Sequence, residues 1–280
     1  MANIGLVGYG IVGKAVGDAF QHINPIHKIL AYDKFKKLDT LEDVVSQSDV
    51  VFVCVPTPHN STTQRFDSSF IDDAMSNINS FYDKSNKPLI AIKSTLIPGT
   101  TMRYIEQYPE MKICYNPEFL TEKSPKEDFI YADRQLIGTI DIKNVKHLID
   151  IYNGDFVAPV KLGHPTQIEV VKLMTNAYLA TKVTFANEIY DLCKALGIDY
   201  SVVKNLFTQD KRMIDDHLDV TPERGFGGKC LPKDTMSLTG IMADFKVDST
   251  LLDAVLDKNN KIRKIRDWEK IPFAITDLEE

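Results

Sequence analysis

A glycine turn near the N-terminus limits the fold more than any other feature. Residues Asn3 to Gly8 form a short apolar strand pattern that runs straight into Gly8-Tyr9-Gly10-Ile11-Val12-Gly13, and a helical pattern with Ala15, Val16, Ala19 and Phe20 follows. In this strand-turn-helix setting each glycine of G-x-G-x-x-G has its own task. The first makes the tight turn, the second lets a pyrophosphate approach the backbone, and the third lets helix pack on strand. Bound phosphates then face a helix N-terminus, whose unpaired N–H groups favour anions. A second apolar strand ends at Asp33, 20 residues beyond Gly13, where a carboxylate accepts hydrogen bonds from ribose hydroxyls. Gly8, Gly10, Ile11, Val12, Gly13 and Asp33 are therefore expected to hold NAD. Asp33 would repel the extra phosphate of NADP, but Lys34, Lys36 and Lys37 follow at once and leave that cofactor open.

The alternation of short apolar runs with helical patterns continues through the first half. Candidate strands are Asn3 to Gly8, Lys28 to Asp33, Asp49 to Val55, Pro88 to Ser94, Lys112 to Asn116 and Arg134 to Thr139. Strand-helix units in succession predict an α/β fold with a parallel sheet, a Rossmann-type domain over residues 1–161. A chain of 280 residues has room for a second domain. The net charge of −6 does not favour nucleic acid or an anionic membrane as a partner. No apolar run approaches the ~18 residues of a membrane span, and the first residues lack a secretory signal, so a cytoplasmic protein is expected. Cys54, Cys114, Cys193 and Cys230 form no C-x-x-C pair, which predicts neither a metal site nor a disulfide framework. The first three are expected to be inert packing residues.

The second half, residues 162–280, reads as mainly helical. Thr166 and Glu169 have the spacing of a capping box, an apolar-periodic run follows, and Gly197 is a natural stop. The resulting helix, about 30 residues and roughly 45 Å long, connects the first domain to the second. Its apolar residues lie on several faces, which predicts burial on more than one side and a homodimer organised around residues 166–196. Lys172 and Asn176 share one face of this helix. Taken alone they favour a lysine reaching out to solvent. Further on, Gly225 to Asp234 reads Gly-Phe-Gly-Gly-Lys-Cys-Leu-Pro-Lys-Asp, poor material for helix or strand and therefore an expected loop.

A dinucleotide turn, a Lys-x-x-x-Asn helix and a glycine-rich cysteine segment, in this order, resemble the UDP-glucose/GDP-mannose dehydrogenase family. The resemblance extends through Cys54 to Pro58, Lys93 to Thr101, Asn116 to Phe129, Lys172 to Glu188, Asp210 to Met213 and Gly225 to Asp234. It implies an NAD-dependent nucleotide-sugar dehydrogenase of the UDP-glucose 6-dehydrogenase type, with a helical central and dimerisation domain after the Rossmann domain. Taking a primary alcohol to a carboxylate removes two hydrides, while one NAD accepts one at a time. A thiol can hold the aldehyde between the two steps, and Cys230 matches that nucleophile.

The same resemblance implies the remaining roles. Lys172 and Asn176 correspond to the pair that stabilises negative charge on the sugar oxygen. Glu118, Glu122, Thr95 and Asp234 correspond to groups that handle protons or position water. Pro56, Thr57 and Thr95 fall at cofactor positions. Glu118, Phe119, Leu120, Phe226 and Gly227 fall at substrate positions, and Arg212 matches an arginine that reaches the sugar across a dimer. No metal is implied. Two departures accompany the match: Lys123 stands where the family commonly has glycine, and the chain stops at Glu280 where members usually continue into another α/β domain, so a short form is expected. Two alternatives remain, a single-hydride β-hydroxyacid-type dehydrogenase and a non-catalytic NAD-binding subunit that needs a partner chain.

Overall fold

The computed structural model describes residues 1–82 and 87–277; residues 278–280, the end of the second expected domain, lie outside the described residues. In chain order the strands are β1 Asn3–Val7, β2 Lys28–Tyr32, β3 Val50–Val53, β4 His59–Asn60, β5 Arg65–Phe66, β6 Leu89–Ile92, β7 Lys112–Tyr115, β8 Gln135–Gly138, β9 Val160–Gly163 and β10 Ile275–Thr276. The helices are α1 Ile11–Ile23, α2 Leu41–Gln47, α3 Ser69–Phe81, α4 Thr100–Gln107, α5 Pro125–Ile130, α6 Ile142–Asp155, α7 Pro165–Leu196, α8 Tyr200–Phe207, α9 Cys230–Asp244 and α10 Thr250–Ile262. Two compact units result: Met1–Thr57 with Ser68–Lys172, and Pro58–Asp67 with Leu173–Glu280.

The first unit is a seven-stranded sheet in the order β2-β1-β3-β6-β7-β8-β9, parallel except between β7 and β8. Each of the six strands expected from the sequence is present. Alternate residues of each central strand enter opposite apolar clusters. Val7, Val51, Val53, Ile90 and Ile92 face one layer with Ile71, Met75 and Ile78 of α3. Ile4, Leu6, Val50, Phe52, Leu89 and Ala91 face the other with Val16 and Phe20 of α1 and Leu148 and Tyr152 of α6. Strands buried on both faces need apolar residues at every position, which is why they read as runs rather than as alternation. The strand order reverses between β1 and β3. That switch point opens a crevice at the carboxyl ends of the strands.

The second unit is mainly helical, as expected, and also contains a small three-stranded sheet in the order β10-β4-β5. Its β4–β5 hairpin comes from residues 58–67, far earlier in the chain than the rest of the unit. The hairpin is held to α9 by His59 Nδ1 and Ser237 Oγ at 2.9 Å and by the Arg65–Asp244 ion pair. A side chain at Gly240 would meet the carbonyl oxygen of Gln64, so this helix can approach the hairpin only with glycine there.

Helix α7 has 32 residues, about 48 Å at the α-helical rise. Proline at its first position has no N–H to leave unpaired, and Gly197 ends it in the left-handed region with φ +69°. The expected capping box is corrected at Glu169. With the helix already begun at Pro165, this buried carboxylate caps a different helix. It accepts from Gly99 N at 2.6 Å, Thr101 N at 2.8 Å and Thr101 Oγ1 at 2.6 Å, covering the start of α4. An anion at a helix N-terminus is favoured by the free N–H groups and by the dipole. Replacing it with an amide sets N–H against N–H. Glu169→Gln is expected to lower stability by about 1–3 kcal/mol, read by urea denaturation; an unchanged midpoint would show that the cap contributes nothing.

Candidate active site

The glycine turn is shaped partly by the protein itself and partly for something else. Gly8 has φ +90°, and a Cβ there would lie 2.6 Å from the carbonyl oxygen of Cys54. A Cβ on Gly13 would lie 2.0 Å from the carbonyl oxygen of Gly8. These two glycines are demanded by backbone packing. At Gly10, the residue capping α1, nothing lies within 4 Å of that position. The protein gives no reason for glycine there, and the open space before the free N–H groups of Ile11, Val12 and Gly13 fits a diphosphate.

Asp33 is drawn to the same turn. Its Oδ2 accepts from Tyr9 N at 2.8 Å and its Oδ1 from Phe35 N at 3.0 Å. Lys36 donates to the carbonyl oxygen of Tyr9. Pro56 and the buried Thr57 follow β3, and the buried Thr95 follows β6. Ser94 Oγ donates to Val55 O at 2.7 Å and ties those two strand ends together. The residues expected to hold NAD are thus gathered at the carboxyl ends of β1, β2, β3 and β6, and they fit the dinucleotide.

On the same unit Lys172 is buried, and its ammonium donates to Glu118 O at 2.6 Å and Glu118 Oε1 at 3.1 Å. Leu120 N donates to Glu118 Oε2 at 2.7 Å, so both carboxylate oxygens are engaged. The Phe119 ring lies between two cations, with Lys172 Nζ at 5.2 Å and the Arg134 guanidinium at 5.1 Å. A cavity of about 220 Å³ opens beside this loop, lined by Glu118, Phe119, Leu120, Asp128, Tyr131 and Arg134 among others. Glu122 and Lys123 are exposed.

The second unit carries the thiol. The expected loop is corrected from Cys230 onward, because Cys230 is the first residue of α9. Pro232 sits in the first turn, where its missing N–H breaks no bond. Cys230 and Asp234 are one helical turn apart and share a face. Asp234 is buried, with Oδ2 accepting from Asn176 Nδ2 at 2.5 Å and Oδ1 from Lys233 Nζ at 2.5 Å. The glycine loop ahead of the thiol is fixed by amide and carboxylate groups from three directions. Asn187 Oδ1 accepts from Gly225 N, Asn259 Oδ1 from Phe226 N, and Asp267 Oδ2 from Gly228 N. Phe226 is buried against Ala180, Val183 and Val255. Gly227 approaches Arg263 and Asp267 so closely that a Cβ would overlap both. Arg212 is exposed and pairs with Asp210 at 2.5 Å.

Several buried polar residues escaped the sequence reading. Lys233 lies beside Asp234 and 4.6 Å from the centre of the Phe66 ring. Burial, then the charges of Lys233 and Arg65, hold His59 down to about 4. Lys93 begins a segment already singled out, but only the fold shows that it is buried. Burial pushes the Cys54 and Cys114 thiols up to about 12, which leaves them unreactive near neutral pH. Among the described residues there is no cluster of three or more metal-ligating side chains and no helix long and apolar enough to cross a membrane.

Gly10 and Gly13 separate ligand binding from folding. Gly10→Ala is expected to weaken NAD binding while lowering stability by no more than about 1 kcal/mol. Gly13→Ala forces a backbone shift and should cost about 1–3 kcal/mol. Calorimetric titration with NAD and thermal unfolding of both variants would check this, and equal NAD affinity for Gly10→Ala and wild type would refute the assignment.

Residues 23–154 match the NAD binding domain of the UDP-glucose/GDP-mannose dehydrogenase family, and residues 166–261 match its central domain. UDP-glucose 6-dehydrogenase of Rickettsia typhi is 31% identical over 244 residues, which is 85% of this chain and 55% of that protein. GDP-mannose 6-dehydrogenase of Pseudomonas aeruginosa is 30% identical over 237 residues, 80% of this chain and 53% of that one. The structure of a UDP-glucose dehydrogenase from the archaeon Pyrobaculum islandicum aligns with a TM-score of 0.83 at 27% identity, covering 93% of this chain and 68% of that one. The chain spans about half the length of the curated relatives it matches. With two domains of one family matched in order over most of its length, the chain belongs to the UDP-glucose/GDP-mannose dehydrogenase family.

Proposed function

We propose that the chain carries out NAD-dependent oxidation of a nucleotide sugar, specifically UDP-glucose to UDP-glucuronate, with Cys230 as the covalent nucleophile. Residues 1–161 form the cofactor half and residues 162–280 the substrate half, with the 58–67 hairpin lent by the first to the second. The observation that carries the reading is the placement of Cys230 one turn ahead of Asp234, whose carboxylate holds the Asn176 amide. Bound NAD accepts the hydride in each oxidation.

The residues then have defined work. Asn176 gives one N–H to Asp234 and keeps the other for the sugar oxygen. Lys172 offers its ammonium to the same developing negative charge. After the first oxidation the Cys230 thiol adds to the aldehyde: a C–S bond forms and the thiol proton ends on the oxygen. Loss of the remaining hydride from that carbon, together with the hydroxyl proton from its oxygen, gives a thioester. Water then adds, the C–S bond breaks, and carboxylate and thiol are released. Glu118, Glu122, Thr95 and Asp234 are the groups proposed to direct this water and its protons. Phe119, Leu120, Phe226 and Gly227 shape the sugar-nucleotide site.

The proposed assembly is a homodimer through α7. Met174, Tyr178, Phe185, Leu192 and Leu196 form one exposed apolar stripe along it, and Val202 and Leu206 on α8 are also exposed. An exposed apolar stripe of this length, broken by Thr181 and Glu188, is the surface on which the proposed dimer rests. The exposed Arg212 is then available to the sugar bound by the second copy. Phe185→Asp is expected to give a monomer by light scattering at micromolar concentration. A dimer that survives this charge would place the interface elsewhere.

The deciding chemistry is Cys230→Ser in an assay of NADH formed per sugar consumed. Wild type is expected to give two NADH per acid, and the variant should lose steady acid production while keeping its fold and NAD affinity. Full acid production by the variant would reject the covalent mechanism. One NADH per sugar in wild type would favour the single-hydride alternative. NAD binding without turnover of any nucleotide sugar would favour a subunit that needs a partner chain.

A further inference from the structure

Lys93 is buried between two aromatic rings, with its ammonium 5.2 Å from the centre of Phe52 and 5.0 Å from that of Phe129. An unpaired charge does not persist in such surroundings. Its hydrogen bonds all go to one residue: Asn116 Oδ1 at 2.9 Å and Asn116 O at 3.2 Å. Asn116 is held by everything it has. Tyr152 Oη donates to its Oδ1 at 2.6 Å, its Nδ2 donates to Leu136 O at 2.7 Å, and its N donates to Ile92 O at 2.8 Å. Two residues later the chain presents Glu118, whose carbonyl and carboxylate hold the Lys172 ammonium.

The geometry points to Lys93 as a positioning residue for Lys172: by locking Asn116 it fixes the Pro117-Glu118 backbone that aims the Lys172 ammonium. This deepens the proposed dehydrogenase reading and rests on it for the catalytic consequence. The path closes on itself. Lys93 begins the segment that ends at Thr101, and Glu169, three residues before Lys172 on α7, binds Gly99 and Thr101 at that end. Lys172 is therefore fixed through Glu118 on one side and through its own helix on the other, and Thr95 lies on the segment between the two anchors.

Charge supports the same role. Burial lowers Lys93 to about 8, with Cys54, Glu118 and Cys114 acting to raise it and Lys172 to lower it further. The two thiols are neutral near pH 7 because burial pushes each up to about 12. Glu118 is then the anion facing Lys93, and Lys172 the competing cation. Positioning is expected to be complete only well below pH 8, to be half lost near pH 8 and to vanish well above it as Lys93 loses its proton.

The test uses the full chain labelled with [15N]lysine, comparing wild type with Lys93→Met, which keeps the side-chain length and removes the ammonium. A buried, hydrogen-bonded ammonium exchanges slowly enough to give an Nζ signal, and Lys172→Met assigns that of Lys172. In Lys93→Met the Lys172 signal is expected to shift and broaden while NAD affinity stays within about twofold of wild type; with turnover, kcat should fall about tenfold with little change in KM for NAD. An unmoved Lys172 signal in a folded Lys93→Met overturns the inference. If Lys93→Met does not fold, Tyr152→Phe removes one donor from Asn116 and should move the signal in the same direction by less, and no movement overturns it equally. The spectra decide the inference even if no nucleotide sugar is turned over, in which case the dehydrogenase reading fails by itself.

Discussion

A buried ammonium on α7 sets most of the demands that the first unit meets. Lys172 is out of water, and breaking a buried ion pair leaves a charge that costs about 3–5 kcal/mol. Two acceptors from Glu118 answer it. They work only if the loop after β7 is held in one conformation, and Asn116 is bound from four sides at the point where that loop begins. The helix is fixed in turn by Glu169, which spends its carboxylate on the start of α4 rather than on its own helix. A pair of this kind adds little net stability compared with apolar packing. What it secures is a cation held in one place, which the charge stabilisation proposed for Lys172 requires.

The second unit solves a different problem. Its glycine loop needs backbone that passes close to other groups, and such a loop is poorly ordered by its own sequence. Three side chains far apart in the chain, Asn187, Asn259 and Asp267, bind its N–H groups and replace the missing secondary structure. The loop then enters α9 with Cys230 as first residue. There the N–H groups of the first turn have no intrahelical partner, and negative charge is favoured nearby. The thiols of Cys54 and Cys114 are instead out of water, and burial raises them to about 12 although the Lys93 charge pulls the other way. Environment, not residue type, separates a proposed nucleophile from two packing residues.

Much was legible without the fold because it depends on local chemistry. Gly8, Gly10 and Gly13 follow an apolar strand and precede a helix, and that order alone predicts a dinucleotide turn. Six of the seven sheet strands of the first unit stood out because burial on both faces demands unbroken apolar runs. Gly197 marked the end of α7, and the start read at Thr166 lies one residue from Pro165 although the capping box behind that reading does not form. The strands that escaped include β4, β5 and β10, two residues each and too short to carry any periodicity, and the edge strand β9, Val160–Gly163, which is not fully buried at any position and so does not read as an apolar run.

The sequence by itself determined the α/β class, the cofactor turn, the long helix and the residue types that match the family, since all of these are written in spacings of a few residues. Only the tertiary structure decided which polar groups meet. It gave Glu169 to α4 instead of its own N-terminus, Glu118 to Lys172, Asp234 to both Lys233 and Asn176, and Lys93 to Asn116. It also assigned residues 58–67 to the second unit. The physical reason is that a hydrogen bond between side chains distant in sequence depends on both backbones being in place, and a buried charge takes whichever partner the packed layers bring within about 3 Å.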